Sequence, residues 1–152
     1  MIAFKTSESN TKTIFGLLND LDLLEKKVPH AISSPENEPV HTLSFKQYGS
    51  NHLITYSSTK DSAVQQLTSI FENIAATLEL GQELAAAHNS GEPDQIGENL
   101  DNLDMRLKRR LLNEPQALAA VLRSIATDKT LDSGLRMKAR DLRDRLTGAA
   151  SR

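Results

Sequence analysis

The stretch 61–88 contains no proline, and Val64, Leu67, Ile70, Phe71, Ile74, Leu78 and Leu84 lie along it as one apolar stripe, flanked by Ala63, Ala75 and Ala85. Most of these residues recur at three- and four-residue intervals, which puts them on one side of an α-helix. At ~1.5 Å per residue such a helix is about 40 Å long, too long for a small core to cover from end to end. The spacing therefore predicts a central helix that either bends near Gly81 or projects beyond its core. Asn89, Ser90, Gly91 and Pro93 end it.

The same periodicity appears before and after this stretch. Ile14, Leu17, Leu18, Leu21, Leu24 and Val28 predict a helix over 11–27, with Asn10 as its N-cap and Pro29 as its stop. Ile96, Leu100, Leu103, Leu107 and Leu111 predict another over 94–112. Asn113 reads as the N-cap of a third, with Pro115 in its first turn and Leu118, Val121, Leu122 and Ile125 facing inward. Leu135, Ala139, Leu142 and Leu146 mark a fourth over 133–147, stopped by Gly148. Short connections make 94–147 a three-helix unit of antiparallel neighbours.

One segment departs from this pattern. Between the proline-rich stretch 29–39 and the central helix, 40–48 and 52–58 are rich in Thr, Leu, Phe, Ile and Tyr and are separated by Gly49, Ser50 and Asn51. They predict a β-hairpin in which His52 faces Tyr48. A lone hairpin is marginal in water, so it needs a helix, a third strand or a partner against it. The expected fold is mainly α with one β-hairpin. Its segments are 1–28 (amphipathic helix with a polar lead), 29–39 (linker or loop), 40–88 (hairpin plus long helix) and 94–148 (helical unit), together making one domain. With four Phe, two Tyr and no Trp in 152 residues, the core must be aliphatic.

Helix, loop, strand pair and long helix, in that order over 11–88, resemble the start of bacterial type III secretion chaperones. The resemblance rests on element order without a motif, so it carries over no site residue. The further strands that the family has after its second helix are replaced here by the helices of 94–147.

The net charge of −2 conceals a strong asymmetry: residues 1–104 hold six Lys/Arg and fifteen Asp/Glu, and residues 105–152 hold twelve and five. Such a split marks either a surface for an acidic partner or nucleic acid, or two halves that pack together. The candidate basic patch is Arg106, Arg109, Arg110, Arg140 and Arg143. Asp101 and Asp104 stand one turn before the first cluster, and Asp132 and Asp141 stand four residues before Arg136 and Arg145, so part of the charge can be absorbed locally. No aromatic residue follows Phe71, which leaves little with which to stack bases. The candidate apolar interaction face is Ile14, Leu17, Leu18, Leu21 and Leu24, on a helix joined to the rest by the proline-rich segment.

Chemistry-bearing motifs are scarce. There is no cysteine, no Gly-x-Ser-x-Gly elbow and no phosphate-cradling glycine loop. His30, His41, His52 and His88 are not spaced as metal ligands, and the Glu79 and Glu83 pair lacks a matching Glu-x-x-His. No cofactor, metal or enzymatic activity is expected. No apolar run approaches the ~20 residues of a membrane span, and the first residues lack the pattern of a signal peptide. The sequence thus points to a cytoplasmic protein-binding adaptor, chaperone-like or regulatory protein, a homodimer or the partner of another protein. A nucleic-acid-binding regulator is the alternative.

Overall fold

The computed structural model describes residues 6–20, 40–47, 50–56 and 62–148. Within them the chain is mainly α-helical with one antiparallel hairpin. The elements are α1 (Glu8–Asp20), β1 (His41–Gln47), β2 (Ser50–Tyr56), α2 (Ser62–Ser90), α3 (Pro93–Lys108), a 3-10 turn (Pro115–Leu118), α4 (Ala119–Thr127) and α5 (Ser133–Thr147). Two compact units divide the chain, Met1–Glu72 and Asn73–Arg152, so the boundary falls inside α2. Segment 40–88 is therefore shared between them.

In the first unit α1 begins earlier than the periodicity implied. Ser7 Oγ accepts a hydrogen bond from the Asn10 backbone N–H at 3.2 Å, so Ser7 and not Asn10 is the cap. Ile14, Leu17 and Leu18 of α1 pack with Tyr56, Val64 and Leu67, joining helix, hairpin and the start of α2 in a small core. This contact is the cover that the hairpin requires. The strands pair with Gln47 opposite Ser50, Phe45 opposite His52 and His41 opposite Tyr56. The expected pairing of His52 with Tyr48 is thus corrected: Ser50 and Asn51 join the ladder, because only two residues separate the paired ends, the shortest common hairpin connection.

The prediction of a long central helix holds, since α2 runs unbroken for 29 residues. The helix continues through Gly81 without a break. A Cβ at that position would stand 3.1 Å from Leu118 Cδ2, so the missing side chain lets the turn before α4 approach the helix closely. The buried positions of this part of α2 are Ile74, Thr77, Leu80, Leu84 and Ala87, whereas Phe71 is exposed and Leu78 only half-buried. Thr77 tolerates burial because its hydroxyl donates to the Asn73 carbonyl at 2.7 Å.

The second unit closes over an aliphatic core. Leu80, Leu84 and Ala87 of α2 meet Ile96, Leu100 and Leu103 of α3, Leu118, Leu122 and Ile125, and Ala139 and Leu142 of α5, all buried. Asp132 caps α5 by accepting from the backbone N–H groups of Gly134 (2.6 Å) and Leu135 (3.2 Å).

Two helices end in the same way with different residues. After α2, Gly91 (φ 67°) takes the left-handed conformation and the Glu92 N–H bonds back to the Ala87 carbonyl at 3.0 Å. After α3 the left-handed residue is Arg110 (φ 58°), and the Leu111 N–H reaches the Arg106 carbonyl at 3.0 Å. This earlier ending shortens the helix expected over 94–112, and the chain then enters a 3-10 turn through a second left-handed residue, Glu114, and not through an Asn113 cap. An arginine pays in backbone strain where glycine does not, so Arg110→Gly is expected to stabilise the fold by about 1 kcal/mol. Urea titration followed by far-UV circular dichroism measures the gain; an unchanged or lower midpoint would show that the Arg110 side chain outweighs the strain.

Candidate functional site

The charge split closes on itself inside the second unit. Residues 73–104 carry seven acidic and no basic side chains, a net −7, while 105–152 carry twelve basic and five acidic, a net +7. Both stretches belong to the unit Asn73–Arg152, which is therefore formally neutral. Asp101 of α3 pairs with Lys138 of α5 at 2.5 Å, and Asp104 of α3 pairs with Arg145 of α5 at 2.8 Å. Asp104 also holds Lys108 at 2.5 Å, and Arg145 holds Asp141 at 3.2 Å. Hydrogen bonds from Lys108 and then Arg145 push the Asp104 carboxyl below its usual value, and Asp104 and then Asp141 push Arg145 up.

These contacts redistribute the expected basic patch. Arg106 is held by Asn102 through its Nε at 3.1 Å, not by Asp101 or Asp104. Arg143 pairs with the adjacent Asp144 at 2.5 Å. Asp132 is spent on the α5 cap, and the Arg136 Nε is buried without a hydrogen-bond partner. Arg109, Arg110 and Arg140 are exposed and make no ion pair among the described residues. On the same unit Met105, Leu111 and Met137 are exposed, Met137 to 67%.

The candidate apolar face of α1 has a different fate. Ile14, Leu17 and Leu18 are turned onto the first unit's own core, while Phe15 stays exposed. Leu21 and Leu24 lie outside the described residues. At the open end of the hairpin the His41 and Tyr56 rings stack with centroids 5.4 Å apart. Tyr56 shares a hydrogen bond with the Thr68 hydroxyl, and burial, reinforced by Glu72, pushes its phenol up.

Sequence reasoning missed two features of the second unit. The first is a contact between His88, at the end of α2, and Asp128, just after α4, with Nε2 to Oδ2 at 2.8 Å. Forty residues separate the partners, so no local pattern announces it. Asp128 also accepts from the Thr130 hydroxyl (2.6 Å) and backbone N–H (2.9 Å), and these bonds, with His88, pull its carboxyl down to about 2. The unfolded carboxyl titrates near ~3.9, so the unfolded chain binds the proton more readily. The stabilisation is complete above roughly pH 4 and disappears as pH falls towards about 2, a window that Asp104 shares in direction. Asp128→Asn is expected to flatten the fall in stability across that window, measured by urea unfolding at several acid pH values. An identical pH profile in the variant would remove Asp128 from this role.

The second is a cleft of about 340 Å³ where the end of α2 meets the start of α3. Glu83, Ala86, Ala87 and Ser90 line it from α2, and Glu92, Gln95 and Asn99 from the α3 side. Asn99 is only 7% exposed, and its amide nitrogen is buried with no hydrogen-bond partner. A clue was present in the sequence: Asn99 sits three residues after Ile96 and four before Leu103, a polar group at the margin of an apolar stripe. No family model, curated protein or solved structure matches this chain. Among the described residues no three His, Asp or Glu side chains are grouped to hold a metal ion, and no helix is long and apolar enough to cross a membrane.

Proposed function

We propose that this chain is a protein-binding adaptor or regulatory protein whose helical unit presents arginine and methionine side chains to another protein or to a second copy. The observation that carries the reading is the co-occurrence, on one unit, of Arg109, Arg110 and Arg140 without ion pairs and of exposed Met105, Leu111 and Met137. Methionine and arginine are enriched at protein interfaces, where a thioether adapts to irregular contours and a guanidinium offers five donors in a fixed fork. A partner surface of carboxylates among aliphatic groups has the complementary chemistry. A cytoplasmic setting belongs to the proposal.

A nucleic-acid regulator is the weaker reading. Much of the basic charge that suggested it is already spent on Asp101, Asp104, Asp141 and Asp144. The test is affinity capture from the native cell with the wild-type chain beside Arg109→Glu/Met137→Glu, two changes at exposed positions. The expected result is a protein retained by the wild type and weakened about tenfold or more in the variant. Equal retention by both, or steeply salt-dependent binding of mixed-sequence DNA at ~50 mM salt with no protein retained, would overturn the proposal.

A further inference from the structure

We infer that the cleft between the end of α2 and the start of α3 receives a lysine or arginine side chain from an extended segment of a partner protein. Three observations converge on this chemistry. Glu83 and Glu92 place two carboxylates at the cleft, and neither makes an ion pair among the described residues. Glu92 precedes α3 in the N-cap position, yet its side chain makes no capping hydrogen bond, so its carboxylate is not consumed by its own helix. The methyl groups of Ala86 and Ala87 supply an apolar wall suited to the methylene stem of a long cationic side chain.

The third observation is Asn99. Its amide nitrogen is a buried donor without an acceptor, an arrangement that native proteins seldom keep unless something outside the chain completes it. A donor at this position needs an acceptor, and the carbonyl oxygen of a peptide backbone bearing the cationic side chain supplies one. The volume of about 340 Å³ lies at the lower end of ligand-binding clefts, roughly 300–1,000 Å³, and suits one long side chain with its peptide group.

Competing occupants fit less well. A helix N-terminus attracts anions through about half a positive charge, but Glu92 and Asp94 at this end of α3 outweigh it. Calcium takes six to eight oxygen ligands, whereas only two carboxylates line this cleft and no third joins them in a metal-holding group among the described residues. The inference shares with the proposed function only the premise that the partner is a protein. It uses a surface of opposite charge, so either can fail alone.

The probe is a fluorescein-labelled peptide of alternating alanine and lysine, titrated with the full-length protein by fluorescence anisotropy, with a norleucine peptide of equal length as its neutral counterpart. The lysine peptide is expected to bind saturably and at least tenfold more tightly than the norleucine peptide, and more weakly as salt rises. Glu83→Gln/Glu92→Gln is expected to abolish that preference, while Arg109→Glu/Met137→Glu leaves it unchanged. Asn99→Leu, which removes the unsatisfied donor at similar volume, is expected to weaken binding about tenfold without lowering the thermal midpoint. In the wild type, the Asn99 side-chain NH₂ resonances are expected to shift on saturation, a reading that does not depend on any variant folding. Equal binding of the two peptides, undiminished preference in the Glu83/Glu92 variant, or unmoved Asn99 resonances would each overturn the inference.

Discussion

Leu122→Ala is expected to destabilise the helical unit by roughly 3–5 kcal/mol. Leu122 is fully buried among Leu80, Leu84, Leu100, Leu103, Ile125, Ala139 and Leu142, residues drawn from every helix of that unit. Truncation removes three carbon atoms from contact on all sides, and well-packed helices collapse only partly into the space. Against a total stability of about 5–15 kcal/mol for a small domain, the loss is a large fraction. Urea unfolding followed by far-UV circular dichroism measures it, with Met137→Ala as the exposed control expected within about 0.5 kcal/mol of wild type. A change below about 1 kcal/mol at Leu122 would mean that the core described here is not the packed core in solution.

Leu67→Ala tests the other unit with a different signal. All four Phe and both Tyr lie within residues 1–72, so near-UV aromatic dichroism reports on the first unit alone. The core there consists of Leu18, Tyr56, Val64 and Leu67, with Ile14 and Leu17 against it, and Leu67 is completely buried. Removing its side chain is expected to cost about 2–4 kcal/mol and to melt the tyrosine signal well before the helical signal of α3, α4 and α5. The two clusters share no residue, so Leu122→Ala is expected to move the far-UV transition more than the tyrosine transition. Identical shifts of both transitions in both variants would show that α2 couples the units into one cooperative block.

The architecture was largely legible because helices announce themselves locally. Spacings of three and four residues identified every α-helix among the described residues, and the prolines, glycines and polar clusters between them identified most ends. Errors fell where the deciding contact was not local to the pattern. Leu111 continues the apolar period of α3, yet the helix stops at Lys108 because Arg110 turns left-handed, an ending normally announced by glycine. Leu78 fits the stripe of α2 as well as Leu80 does, but burial favours Leu80, since neighbouring helices and not spacing determine which side is covered.

Charge shows most clearly where sequence reasoning reached its limit. The chain itself fixed the amounts: seven unbalanced acids before residue 105 in the second unit, and an equal excess of bases after it. It could not fix their partners, because α3 and α5 lie side by side only after the intervening turn and α4 have folded back, bringing Asp101 to Lys138 and Asp104 to Arg145. A charge pattern along the chain is one-dimensional, and pairing depends on distances of a few ångströms in three dimensions. The helices, their apolar faces and the aliphatic character of the core were thus determined by the sequence alone. Tertiary packing decided which arginines stay free, which carboxylates line a cleft, and that Asn99 is buried with a donor still to be satisfied.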